Sequence, residues 1–259
     1  MSKSVTTEGL QAAFEQSNTM IKDYVDLATG NVISPVTYNG DEISMLSKGL
    51  CIGDSLTVGI FDYNSGESGS ITDDTLSYPK VLQRLTGNEM LTAARSGFTF
   101  KGWFDYVNGN TSFAGTGFRF AIIFLGICDA ATYSGWLDES AENLTNIVNK
   151  LREDIAGIKL FIVTLPQYFK GTSFDSVSDG IRTKSEELGL YLIDLRKNWS
   201  ECNADDWQNY GFEQGGHFHS WGQYQLAKAI KSYISYIIKN NPDDFKDIQF
   251  VGTDYSWTE

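Results

Sequence analysis

Three short stretches of this sequence carry the residue types that nucleophilic chemistry needs. "CIGDSLTVG", residues 51–59, places Ser55 just after an apolar run, with Gly53 and Asp54 ahead of it. "GICD", residues 126–129, follows a second apolar run and sets Cys128 beside Asp129. "EQGGHFHSWGQYQLA" holds the chain's two histidines, His217 and His219, and leads into a helical pattern. A serine hydroxyl is a weak nucleophile until a neighbouring imidazole accepts its proton, and an imidazole near its ordinary pKa can return that proton to a leaving group. The chemistry such a set performs is acyl transfer. Read alone, Ser55 also fits a plainer role as a helix N-cap, with Gly53 relaxing the turn.

The elements around these stretches decide whether they meet. From residue 46 onward, apolar runs recur at Leu50–Ile52, Met90–Ala94, Phe120–Leu125, Leu160–Leu165 and Leu190–Leu195. Continuous apolar strands of this kind suit a parallel sheet buried on both faces. Helical patterns lie between and after them: Leu144, Ile147, Val148, Leu151 and Ile155 form one apolar face, and Leu226, Ala227, Ile230, Ile234, Ile237 and Ile238 form another. The expected fold is α/β: a three-layer α/β/α sandwich around a five-stranded parallel sheet of flavodoxin-like type. In open sheets of this class, ligands bind outside the carboxyl ends of the strands. Ser55, the Ser96-Gly97 turn, the Gly126–Asp129 stretch and the histidine loop then share one edge.

Composition narrows the classes of partner. With 41% hydrophobic and 20% charged residues, the chain has the balance of a soluble globular protein. Its net charge of −13 argues against nucleic acid and anionic membranes and suits neutral substrates such as sugars or small esters. Three scattered cysteines give neither a disulfide framework nor a zinc pattern, and Cys51 reads as a small buried residue. No phosphate loop, dinucleotide fingerprint or metal-ligand cluster occurs, so no cofactor and no metal are expected. The serine also lacks a G-x-S-x-G elbow. No apolar run reaches membrane-spanning length, and the first residues lack the apolar core of a signal peptide.

On these motifs and their order, the stretch from about residue 48 to 240 resembles the SGNH (GDSL) hydrolases. "GDSLTVG" is similar to the family's first block, with Ser55 at the nucleophile position. Gly97 in "ARSGFTF" stands where a glycine N–H joins that of the serine in the oxyanion hole. "HFHSWGQYQLA" is similar to the last block: His217 lies five residues before Gly222, the family spacing, whereas His219 lies only three before it. The resemblance implies a metal-independent esterase with an acyl-Ser55 intermediate and His217 as base, with His219 a loop histidine that bonds locally or touches substrate. Two positions depart from it. Cys128 stands where the family has an asparagine that donates to the oxyanion, and a thiol is a weak donor. Gln214 stands where the family has an aspartate, which leaves Glu213 as first candidate to orient the histidine, with Asp205, Asp206 or a backbone carbonyl as alternatives. Asp54 belongs to the motif as a turn-stabilising residue.

Aromatic residues make up 14% of the chain, and several fall near this edge. Phe98, Trp136 and Trp221, with His219, are the expected substrate contacts, on the ground that aromatic faces stack on sugar rings or acyl chains. The aromatic loops lean the substrate toward a short-acyl, O-acetyl carbohydrate. Residues 1–45 read as a separate arm: residues 6–29 carry the alternating four-three spacing of a short coiled coil, and Asn39-Gly40 signals a hairpin connector. Such an arm implies self-association, and it resembles attachment segments of phage tail-associated proteins, which would make the chain virion-associated. Residues 46–241 form the hydrolase-like domain and 242–259 a tail. A rival reading from another class is a degenerate domain kept as a glycan-binding module, with Cys128 and Gln214 as its evidence.

Overall fold

The computed structural model describes residues 42–62, 70–203, 205, 207–211 and 216–246. The expected coiled-coil arm, the Asn39-Gly40 hairpin, Glu213, Gln214, Asp206 and most of the tail lie outside the described residues.

Seven strands are present among those residues: β1 Lys48–Gly53, β2 Ile60–Asp62, β3 Ser70–Thr72, β4 Glu89–Ala94, β5 Phe120–Phe124, β6 Lys159–Val163 and β7 Tyr191–Ile193. Five form one sheet in the order β4-β1-β5-β6-β7, every pair parallel. The central strands β1, β5 and β6 are buried along almost their whole length, as strands covered on both faces should be. β4 lies at the sheet edge and exposes Glu89, Leu91 and Thr92, with Met90 buried, although its sequence reads as one apolar run. β7 is shorter than its apolar run, because Asp194 caps a new helix with a hydrogen bond from Lys197 N–H at 3.2 Å.

Eight helices connect and flank the strands: α1 Ser55–Val58, α2 Tyr78–Thr86, α3 Phe100–Val107, α4 Ile127–Tyr133, α5 Asp138–Asp154, α6 Thr172–Glu187, α7 Leu195–Asn198 and α8 Ser220–Asn240. α2 packs with α8 in one layer; α5 packs with both α3 and α6 in the other. The three-layer sandwich follows from the alternation of apolar strands and amphipathic helices. A 3₁₀ turn, Glu42–Leu46, packs on α8 with Ile43 and Leu46 fully buried, so the body of the domain begins before residue 46. At the other end Phe245 lies over Phe161 and Tyr191, with ring centroids 6.4 and 5.1 Å apart, which lays the start of the tail on the domain. A two-stranded hairpin, β2–β3, follows α1 and has no counterpart in the sequence-based expectation.

Strand order reverses between β1 and β5: the chain leaves β1 for β4 on one side and returns to β5 on the other. A crevice opens at such a switch point outside the carboxyl ends of the two strands. The residues that follow them are Asp54-Ser55 and Gly126–Asp129. Among the described residues no helix is long and apolar enough to cross a membrane, and no group of three His, Cys, Asp or Glu is placed to hold a metal ion.

Candidate active site

The capping question raised by Ser55 is answered one residue earlier. Asp54 is the N-cap of α1 and its Oδ1 accepts the Leu56 N–H at 3.0 Å. The Asp54 carbonyl accepts the N–H groups of Thr57 and Val58 at 3.1 and 3.0 Å. Ser55 is the first residue of the helix, so its hydroxyl is not spent on the cap. A side chain at Gly53 would put its Cβ 1.8 Å from Thr57 Oγ1 and 2.8 Å from the Phe124 carbonyl oxygen. Only glycine lets β1 run this close to α1 and β5.

His217 Nε2 lies 2.8 Å from Ser55 Oγ, across 162 residues of sequence. The residue between the histidines sets this contact. Phe218 is fully buried, pairs with Gly211 in an isolated antiparallel bridge, and packs on Tyr168 and Phe169 with centroids 4.9 and 5.9 Å away. Tyr168 also donates its hydroxyl to the His217 carbonyl at 3.5 Å. The loop that carries Tyr168 is fastened by the buried Arg196, whose guanidinium donates to the carbonyls of Leu165, Pro166 and Phe169.

His219 has a different position. It caps α8: its Nδ1 accepts the Gly222 N–H at 3.1 Å, and its Nε2 lies 3.1 Å from the Gln208 carbonyl. Accepting at one nitrogen and donating from the other requires the neutral Nε2–H tautomer. Both ring nitrogens therefore serve the backbone, and His219 bonds locally as the cap of α8. Asp205 is exposed and pairs with Lys170 at 2.8 Å.

A side chain that sequence reasoning missed joins the two halves of the site. Gln223, fully buried on α8, donates Nε2 to the Leu56 carbonyl at 3.0 Å and accepts the Tyr78 N–H at 2.9 Å. It ties the helix after the histidine loop to the turn that holds Ser55. Gln223→Ala should leave both partners unsatisfied and cost about 1–3 kcal/mol, read as a lower midpoint in urea unfolding, with a smaller loss of activity. A glutamine inside an apolar helix face is the signal that was available.

Gly97 sits in the turn after β4 with φ at +82°, and a Cβ there would meet nothing within 4 Å. Backbone conformation, not crowding, demands glycine at this open position. The turn is held to the end of β1 by the Arg95 N–H, which donates to the Gly53 carbonyl at 3.4 Å, and Phe98 N–H closes it onto Arg95. Cys128 comes from the other side of the crevice, on α4. Its Sγ is 3.8 Å from Asp54 Oδ2. Burial first, and the nearby Asp54 and Asp129 second, push its thiol up to about 12. Cys51 is pushed up to about 12 by burial as well.

Two buried carboxyls lie beneath this surface. Burial pushes Asp54 up to about 7 against the hydrogen bond from Leu56, and the charge of Asp129 adds to the shift. Burial likewise pushes Asp129 up to about 6, although it accepts from Ser140 Oγ at 3.0 Å and from Phe100 N–H at 3.2 Å. Raised carboxyls hold protons in the folded state that the unfolded chain has already released. The stability they contribute is full below the ordinary carboxyl value near 3.8 and is lost as pH rises through about 6 to 7. Asp129→Asn should flatten that decline in urea midpoints measured from about pH 4 to 8.

The aromatic expectations divide. Phe98 is only 9% exposed, with its ring 5.4 Å from Tyr106. Trp136 packs edge-on against Phe100 at 5.6 Å and lies over Gly180, where a Cβ would come within 2.1 Å of its ring. Both pack against the body of the domain, because the bare backbone of Gly180 and the face of α3 accept their rings. Trp221 is 54% exposed and stacks on Tyr224 with centroids 5.2 Å apart, at the start of α8.

No curated protein matches the sequence. Solved structures do share its fold. A lipase/acylhydrolase from Enterococcus faecalis matches at 18% identity and a TM-score of 0.55, over 73% of this chain and 96% of that one. A phospholipase A1 from Streptomyces albidoflavus NA297 matches at 15% and 0.55, over 73% and 99%. Est24, a carbohydrate acetylesterase from Sinorhizobium meliloti, also matches at 15% and 0.55, over 73% and 99%. At these identities the likeness is one of fold. Residues 51–224, which begin in β1 and end in the first turns of α8, match the profile of the GDSL-like lipase/acylhydrolase family. That span takes in the serine turn, the glycine turn, the cysteine and both histidines, and the chain is a member of this family of ester hydrolases.

Proposed function

We propose that the protein hydrolyses a short-acyl ester, an O-acetyl group on carbohydrate, through an acyl-Ser55 intermediate. The observation that carries the chemistry is the 2.8 Å contact between His217 Nε2 and Ser55 Oγ. The Ser55 hydroxyl donates to Nε2, so His217 is the general base of the reading. As Oγ attacks the ester carbonyl carbon, its proton passes to Nε2 and the carbonyl oxygen becomes an oxyanion. The N–H groups of Ser55 and Gly97 hold that oxyanion. The C–O bond to the sugar then breaks, and His217 returns the proton to the departing alcohol. Water repeats the sequence on the acyl-enzyme: His217 takes its proton, acetate leaves, and Ser55 regains its hydroxyl. Glu213 remains the residue assigned to orient the imidazole.

The carbohydrate reading is supported by the exposed Trp221–Tyr224 stack four residues beyond His217 and by the net charge of −13, which disfavours anionic surfaces. The carbohydrate acetylesterase among the fold relatives is consistent with it. The test compares O-acetylated xylan oligomers with p-nitrophenyl acetate. Trp221→Ala should raise KM for the glycan ester by about tenfold and leave that for the aryl ester nearly unchanged. Equal effects on both substrates would contradict the stacking role. A virion or tail-fibre setting with self-association through the N-terminal arm belongs to the same proposal, and a chain lacking residues 1–45 should sediment as a smaller oligomer. The rival reading, a glycan-binding module with a weak catalytic site, draws on one observation: the Cys128 thiol faces Asp54 at the place where an oxyanion donor is wanted.

A further inference from the structure

The thiol of Cys128 has a direction. Its S–H donates to Asp54 Oδ2 at 3.8 Å. The two groups form a relay that crosses the crevice from α4 to the residue before the nucleophile. Asp54 cannot turn away from it. Its Oδ1 is fixed by Leu56 N–H, which leaves Oδ2 facing the sulfur, and the whole side chain is buried. An oxyanion needs donors on this surface. In the observed arrangement the S–H points inward, at Asp54.

We propose that Asp54 is a positioning residue that acts on the oxyanion hole through the Cys128 thiol. As a carboxylate, Asp54 holds the S–H inward. As a carboxylic acid, it donates its own proton to the sulfur. The S–H is then free to turn toward the oxyanion. No bond is made or broken in this step beyond the exchange of hydrogen bonds. The groups facing Asp54 are Cys128 and the carboxyl of Asp129 on α4, and Tyr78 on α2 with its Thr57 and Cys51 contacts. Asp129 favours the acid form, and Tyr78 and Cys51 are held neutral by burial. The inference rests on the acyl-Ser55 reading for its effect on rate, but not for the relay itself.

The test is a double-mutant cycle on p-nitrophenyl acetate at about pH 8, where Asp54 is ionised. Asp54→Asn keeps an Oδ1 acceptor for the helix cap and offers an N–H to the sulfur, imitating the protonated acid. In the otherwise native protein it should raise kcat about threefold to tenfold, a modest gain because S–H is a weak donor. In a Cys128→Ala background it should change kcat by less than about twofold. The same change in both backgrounds, or a loss in both, would overturn the proposal. A second measurement stands if Asp54→Asn does not fold. The infrared S–H stretch of Cys128, assigned by its disappearance in Cys128→Ala, should shift as Asp54 titrates between about pH 5 and 9 in the Ser55→Ala protein. A band that stays in place overturns the relay. Turnover that survives in Ser55→Ala would instead overturn the acyl-Ser55 reading, and the band would still report on Asp54 and Cys128.

Discussion

Ser55→Ala is expected to lower kcat for p-nitrophenyl acetate by about 10⁴-fold or more, as removal of the nucleophile does in other acyl-transfer enzymes. The size follows from the lack of a substitute. Cys128 borders the same crevice, but its thiol is pushed up to about 12 and is not an ionised nucleophile near neutrality. His217 would be left to activate water directly, a much weaker route. Fold should be spared, because the cap of α1 is Asp54 and not Ser55. The thermal midpoint of Ser55→Ala should therefore stay close to that of the native protein, so that lost turnover reads as lost chemistry.

His217→Ala should be nearly as severe, about 10³-fold or more in kcat, since it removes the group that lies 2.8 Å from the serine oxygen. His219→Ala provides the contrast two residues away. It deletes an N-cap whose ring accepts from Gly222 N–H, which should cost about 1 kcal/mol of stability. Its activity should fall by no more than about tenfold, through a looser histidine loop. Steady-state kinetics and urea unfolding on the same two variants separate the roles. If His219→Ala were the inactive protein and His217→Ala the merely destabilised one, the base would be assigned to the wrong ring.

Much of the architecture was legible because buried parallel strands announce themselves. The apolar runs at Leu50–Ile52 and Phe120–Leu125 became β1 and β5, and the rule that sites form at strand ends then brought serine, cysteine and histidine to one edge. Edges were less legible. β4 reads like a central strand, but it has a neighbour on one side only, and β7 ends early because Asp194 competes for the backbone as a helix cap. Within the site, order along the chain carried the information and local pattern did not. A glutamine on the apolar face of α8 signals a buried polar group, but its partner Leu56, 167 residues away, is not written in the local pattern. The burial of Asp129 and its hold on Phe100 N–H are equally silent in the sequence. Phe98 and Trp136 look like exposed loop aromatics until α3 and the bare backbone of Gly180 are in place to receive them. Glu213, the first candidate to orient the imidazole, falls outside the described residues.

The central claim is that the acyl group passes through Ser55 Oγ, and the presence of Cys128 in the same crevice gives it a direct test. The protein would be mixed with p-nitrophenyl acetate, quenched in acid within the first turnovers, digested, and examined by mass spectrometry. The account predicts one acetyl group, on Ser55, in the native protein and none in Ser55→Ala. An acetyl group on Cys128, or rapid turnover with no acetylated peptide, would contradict it.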